Sequence, residues 1–382
     1  MRVAVLGGGY AGVVLGKRLE RRLPSDVDLV VVDENGHHLV QHELHRVVRR
    51  PGFEDDVLVP LDDIFDRADV ERATVTGVDR DSRVVEFEAG SLEYDVAAVC
   101  LGAETEYYGL PGVEEHAIPL KRLPDARRLR ERFEALVEDG GGTVVVGGAG
   151  LSGVQVAGEL AAAAREAGAR DAVDVVLLER EDGVVPGFPE RFREAVAAEL
   201  AREGVDVRTG VAIERATADA VEADDHAVPY DALVWTGGIR GPDAVGGERV
   251  EVRADLALDD HTIAVGDAAR VVDAEGAIVP ASAAAAVREA KVAAGNVERL
   301  VADHRDGSGG FRPRLDRYTF DSPGWLVSVG DGAVAQVGPT VFRGAAARAV
   351  KSGVGSGYLA SAGAVRNAVD LLRDEFAVER GD

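Results

Sequence analysis

The strongest constraint on the fold is an internal repeat. RVAVLGGGYAGVVLGKRL, beginning at Arg2, returns 141 residues later as TVVVGGAGLSGVQVAGEL, beginning at Thr143. Each copy runs from a β-branched strand through G-x-G-x-x-G into an amphipathic helix. The glycines are Gly7, Gly9 and Gly12 in the first copy and Gly148, Gly150 and Gly153 in the second. They serve a tight turn, close backbone approach to a pyrophosphate and packing of helix on strand, while the free N–H groups of the helix's first turn point at the phosphates. A lone motif of this kind is weak, but both copies continue alike. DLVVVD ends at Asp33, 21 residues after Gly12, and DVVLLE ends at Glu179, 26 residues after Gly153. An acid at that place accepts a hydrogen bond from a ribose hydroxyl. The copies also close alike, in YDVAAVCLGAE from Tyr94 and YDALVWTGGI from Tyr230. An α/β chain with two dinucleotide-binding domains is expected.

The second domain lies inside the first, which is the layout of the two-dinucleotide-binding-domain flavoproteins with their paired Rossmann-like units. TIAVGDAAR, from Thr262, resembles that family's returning strand and Gly-Asp turn. The resemblance implies that Asp267, after Gly266, holds the flavin side of FAD. It places Tyr10, Ala11, Glu34, Gly102 and Ala103 with Asp33 and the first glycine set around FAD, and Gly237 with the second set and Glu179 around NAD(H). The implied division is residues 1–112 and 255–320 for FAD, 113–254 for NAD(H), and 321–382 as a C-terminal region. Glu179 favours NADH, because a carboxylate repels the extra 2′-phosphate of NADPH. Arg180 beside it works against that preference.

Cys100 is the only cysteine, so no intramolecular disulfide forms and the disulfide-using and sulfide:quinone branches are excluded as standard members. The chain most resembles the type II NADH dehydrogenases, single-subunit FAD enzymes that pass electrons from NADH to a membrane quinone. DENGHHLVQHELHRVV, from Asp33, resembles that family's D-x-N-x-H-L-F-x-P-L-L stretch beside the isoalloxazine, with His42 and Glu43 in place of its Pro-Leu pair. Gln155 stands where the family carries a Glu, and Ala284 and Arg288 stand where its quinone-site helix carries glutamines. The start of that helix, near Ala281 to Ala283, is expected to aim its positive end at the flavin. These departures bear on the electron acceptor. Alternatives to a quinone are a small electron-carrier protein, with the chain as its soluble reductase, or no acceptor at all, with the chain as a flavin redox sensor.

HHLVQHELH, His37 to His45, holds half of the eight histidines. His38, His42 and His45 share a face if the stretch is helical. The zinc signature H-E-x-x-H is not met, however, and no metal is expected. The segment reads instead as a wall on the acceptor side of the flavin, with His42, Glu43 or His45 as proton relays.

Charge narrows the partners. With 68 acidic against 43 basic residues, the net charge of −25 repels phosphate backbones, so nucleic acid is not expected. An acidic surface with only four lysines suits a cytosol of very high salt, as in extreme halophiles. No secretion signal or membrane-length apolar run is evident, so the expected place is the cytoplasm, on the inner face of the cell membrane. From Val341 to Val369 there is no acid, while Arg343, Arg348, Lys351 and Arg366 are basic and Val341, Phe342, Val350, Tyr358 and Leu359 are apolar. Such a segment suits docking on an anionic bilayer. Packing on the body, or on a second subunit of a homodimer, is the other reading. Gly353, Gly355 and Gly357 argue against one long helix there.

Overall fold

Uninterrupted runs such as Val3 to Leu6 and Val30 to Val32 have no polar face to offer solvent. They are buried on both sides, as parallel strands between helices must be. A computed structural model describes residues 1–223, 226–306, 313–322 and 324–361. The first repeat forms a five-stranded parallel sheet in the order Thr262–Ala264, Val96–Val99, Arg2–Leu6, Asp28–Asp33, Asp69–Arg72. The second forms another in the order Ile118–Pro119, Ala232–Trp235, Gly142–Gly147, Val173–Glu179, Asp206–Thr209. Strand for strand the two sheets correspond. The correspondence extends to three-stranded antiparallel meanders, Val75–Asp79 to Gly90–Glu93 in one half and Ile213–Ala216 to His226–Pro229 in the other.

The chain leaves the first sheet after Val96–Val99 and rejoins it at Thr262–Ala264, so the second unit is an insertion in the first. Its two connecting segments pair with each other as the antiparallel strands Glu104–Thr105 and Ile239–Arg240. The Arg240 guanidinium reaches the Glu104 carboxylate across that pair.

A C-terminal antiparallel sheet, Gly324–Val329, Gly332–Val337 and Thr340–Arg343, follows. Its alternation explains its place. Val327, Val329 and Val334 join the main core on one face, while Ala333 and Ala335 meet Ala347 of the helix Gly344–Ser361 on the other. The Val329–Gly330 turn sits on the helix Leu151–Glu166 at Gly158, where any Cβ would strike the backbone of Val329 and Gly330. The helix Gly344–Ser361 runs through Gly353, Gly355 and Gly357, contrary to the expectation from sequence. Each such glycine costs roughly 1 kcal/mol of helix propensity, but the first turns are anchored by tertiary contacts, which outweigh propensity.

Docking of this segment on a bilayer also needs correction on two of its cations. Lys351 is buried, and Arg348 donates to the main-chain oxygen of Asp331 at 2.7 Å. Val341, Phe342 and Val350 pack against the protein's own clusters, whereas Arg343 is exposed. Arg366 and residues 362–382 lie outside the described residues, as do the side chains of Tyr358 and Leu359. No helix among the described residues is long and apolar enough to cross a membrane.

Candidate functional site

Both glycine loops are closed from within. A Cβ on Gly12 would overlap the Gly7 carbonyl oxygen, and one on Gly153 would overlap that of Gly148. These third glycines are therefore required by the turn itself. Gly9 and Gly150, by contrast, face open space and cap the helices Tyr10–Arg22 and Leu151–Glu166 with no side-chain hydrogen bond. The first-turn N–H groups of each helix have no capping oxygen from Gly9 or Gly150, which suits them to an anionic bridge such as a pyrophosphate.

The strand-end acids do more than the motif implies. Asp33 Oδ2 accepts from Gly8 N–H at 2.9 Å, and its Oδ1 accepts from Asn35 N–H at 2.9 Å. Glu179 repeats the pattern, with Oε2 accepting from Ala149 N–H at 2.7 Å and Oε1 from Glu181 N–H at 3.0 Å. Each acid thus fixes its own glycine loop. Arg180, exposed beside Glu179, pairs with Glu181 at 3.1 Å. Glu34 pairs with Arg122 at 2.7 Å.

The Gly266–Asp267 turn closes on the first loop. A Cβ on Gly266, at φ +73°, would lie 3.1 Å from that of Ala11. Two residues hold the turn, and neither is marked by a motif. Glu289 accepts the Gly266 N–H at 2.7 Å, while Arg249 donates to the main-chain oxygens of Asp267 at 2.8 Å and Ala269 at 2.6 Å. Burial pushes the Glu289 carboxyl up to about 7, and burial holds the Lys121 ammonium near Asp267 below its ordinary value. Ala283 is the first residue of the long helix Ala283–Asp306, whose N-terminal turn is capped by Ser282 Oγ accepting from Ala285 N–H at 3.2 Å. Gly102, at φ +73°, and Gly237 follow the two closing strands. A Cβ on Gly148 would lie 2.7 Å from Gly237 Cα, and Ala103 lines a cleft with Lys121, Arg122 and Arg240. Cys100 is buried and its thiol is pushed well up by burial, the behaviour of a core residue.

The histidine segment is not one helix. It is a strand, His37–Leu39, a 3-10 turn, Gln41–Glu43, and a short helix, His45–Arg49. Its imidazoles are separately employed. His38 is fully buried against the Gly8 carbonyl oxygen at 3.0 Å, and burial lowers it to about 4, so it is neutral at pH 7. His45 Nε2 meets Ser328 Oγ at 2.8 Å and is likewise driven down by burial and by Lys351. His42 keeps about a third of its side chain exposed, touches the Tyr10 hydroxyl through Nδ1, and stands 3.4 Å from Glu43 Oε1 through Nε2.

Glu43 departs from the expected acceptor wall. It is 1% exposed, ion-paired with Lys351 at 2.9 Å and with Arg46 at 3.5 Å. Against the cost of burial, Lys351 above all, then His42 and Arg46, hold its carboxyl far below the usual range. It is a fixed charge rather than a proton donor. Gln155 extends from the second glycine helix to the main-chain oxygen of His42 at 3.4 Å and to Ser328 Oγ at 3.3 Å, joining the inserted unit to this cluster. Among the described residues no three histidine, cysteine or acidic side chains are grouped to hold a metal ion.

Residues 1–290 match the family model of the pyridine nucleotide-disulphide oxidoreductases. The chain belongs to that family. The family name speaks of a disulphide, for which the single cysteine has no partner. Among relatives, this pyridine nucleotide oxidoreductase is 29% identical over 288 residues to the NADH dehydrogenase-like protein YutJ of Bacillus subtilis, covering 72% of this chain and 79% of that one. It is 25% identical over 331 residues to the type II NADH:quinone oxidoreductase of Staphylococcus saprophyticus, covering 78% and 82%. A solved structure of NDH2 from Plasmodium falciparum in complex with NADH superposes with a TM-score of 0.82 at 13% identity, over 97% of each chain.

Proposed function

We propose that this family member is an FAD-dependent NADH dehydrogenase that delivers electrons to a quinone. One observation carries the reading: two glycine-loop helices without side-chain caps, each with its acid in place, and a Gly-Asp turn closing on the first loop beside Ala11. FAD would be held by Gly7, Gly9, Tyr10, Ala11, Gly12, Asp33, Gly102, Ala103 and Asp267, from residues 1–112 and 255–320. NADH would be held by Gly148, Gly150, Gly153, Glu179 and Gly237, from residues 113–254. When bound, FAD supplies a two-electron carrier between NADH and the acceptor. The protein's own part is positioning and charge. The helix beginning at Ala283 offers its positive end, Glu179 selects against a 2′-phosphate with Arg180 tied to Glu181, and His42 is the partly exposed titratable group on the acceptor side.

Relatives named for NADH:quinone chemistry support the acceptor class. A lipid-soluble quinone requires work at a bilayer, so we infer peripheral attachment on the cytoplasmic face. Arg343 and the chain beyond residue 361 would carry it, since Arg348 and Lys351 are engaged internally. The test is anaerobic addition of NADH to the purified protein. Bleaching of the flavin band followed by recovery on adding a quinone analogue supports the reading. Recovery only with a small electron-carrier protein would make the chain its reductase, and bleaching that no acceptor reverses would make it a sensor.

A further inference from the structure

Glu43 and Lys351 are 308 residues apart in sequence, yet their side chains form a buried pair with Ser328 Oγ 3.3 Å from the same ammonium. On the other side of Glu43 the contacts continue to His42 and from His42 to the Tyr10 hydroxyl, on the first turn of the first glycine helix. Hydroxyl, imidazole and carboxylate in a row form an arrangement in which the carboxylate orients the ring and the ring trades a proton with the hydroxyl. A buried carboxylate keeps its charge only with a counter-charge beside it. Here the nearer of its two basic partners, Lys351 at 2.9 Å against Arg46 at 3.5 Å, comes from the C-terminal helix.

We propose that Lys351 is a positioning residue of the acceptor side: it holds Glu43 as a carboxylate, Glu43 steadies the His42 ring, and His42 exchanges a proton with the Tyr10 hydroxyl. The inference rests on the quinone reading above. Reduction of a quinone to a quinol by NADH consumes one proton from solvent beyond the hydride. As imidazolium, His42 gives its Nδ1 proton to the Tyr10 oxygen while the Tyr10 hydroxyl proton passes to the acceptor. The ring is left neutral with its Nε2–H toward Glu43, and with about a third of its side chain exposed it takes a replacement proton from solvent at Nδ1. The charged and titratable groups around this row are Lys351 and Arg46 on Glu43, His38 and His45 on either side of it in sequence, and the Arg49–Glu159 pair with Arg50 behind it. Burial above all lowers the His42 ring, Glu43 raises it, and Lys351 and Arg46 lower it, so removing the ammonium while Arg46 still pairs with Glu43 lifts the ring's titration.

Nitrogen-edited NMR of the histidine rings in the FAD-loaded protein tests this without turnover. In Lys351→Met the His42 titration moves up by about one pH unit or more, and Lys351→Arg returns it toward the parent. In the same variants, the ratio of turnover with a water-soluble quinone to turnover with ferricyanide, which takes electrons alone, falls about tenfold for Met and recovers for Arg. A folded, flavin-replete Lys351→Met whose His42 titration and acceptor ratio match the parent overturns the proposal. If that variant fails to fold, the Glu43→Gln/Lys351→Met double variant removes both charges together. The parent then shows His42 as one Nε2–H tautomer and the double variant a mixture, and identical tautomers in the two would equally overturn it. Absence of quinone turnover in the parent would instead remove the functional reading, while the NMR result still stands or falls on its own.

Discussion

His38 should make the protein acid-sensitive in a window set by its burial. The ring is fully buried, contacts the Gly8 carbonyl oxygen, and titrates at about 4 against an ordinary 6.5. Below pH 6.5 the unfolded chain therefore binds a proton that the folded chain refuses. Stability falls as pH drops, and the loss levels off once the folded ring titrates near 4. Integrating the difference between pH 7.5 and pH 5 gives a loss of about 2 kcal/mol from this one group. His38→Gln retains an N–H donor for Gly8 without a titrating ring. Its own cost lowers stability at both pH values, but the gap between parent and variant should narrow by about 2 kcal/mol on going from pH 7.5 to pH 5. Urea unfolding followed by the fluorescence of Trp235 and Trp325 measures the gap. The buried ring of His45 titrates in both proteins and cancels. A gap that is constant within about 0.5 kcal/mol would refute the assignment of His38 as a buried neutral ring.

The dinucleotide loops give sharper outcomes. Gly12→Ala should abolish flavin retention because its Cβ would overlap the Gly7 carbonyl oxygen, and full flavin content in both Gly9→Val and Asp267→Ala would remove the FAD assignment. Glu179→Gln keeps an acceptor for the Ala149 N–H but loses the charge, so the NADPH to NADH ratio of kcat/KM should rise by roughly tenfold. Glu179→Ala should add a stability loss of about 1–3 kcal/mol from the orphaned loop N–H. An unchanged coenzyme ratio in both variants would sink the role of Glu179. A chain ending at Pro339 strips Lys351 from Glu43 and should lose about 3–5 kcal/mol; an unaltered urea midpoint would contradict the buried pair. If that truncated chain still co-sediments with anionic vesicles, the C-terminal segment is not the membrane anchor.

The parts legible in sequence are those whose meaning is local. Gly7 to Asp33 and Gly148 to Glu179 each carry strand, turn, helix and acid within one continuous stretch, and the structure forms two corresponding sheets from them. The start of the long helix, expected near Ala281 to Ala283 from the family resemblance, falls at Ala283. What sequence could not show is pairing at long range. Charge counting records that residues 341–369 lack acids, but not that Lys351 turns inward to an acid of the first domain. Histidine spacing records a shared face only if the stretch is helical, and the break at Gln41–Glu43 removes that condition. Glu289 and Arg249, which hold the Gly266–Asp267 turn, sit in no motif, and only the fold brings them to it.

The separation of Glu43 from Lys351 also sets an order of events during synthesis. At about 5–20 residues per second, the 308 residues between them take roughly 15–60 s to translate. Throughout that interval the first glycine loop and its acid are complete, whereas Glu43 has only Arg46 and the neighbouring imidazoles to balance it. The strand Thr262–Ala264 and the Gly266–Asp267 turn complete the first domain before Lys351 is made, so that domain can form before the acceptor side is sealed by the last helix described. A ribosome that stalls between Asp267 and Lys351 leaves a chain whose first sheet is complete while Glu43 lacks the nearer of its two basic partners.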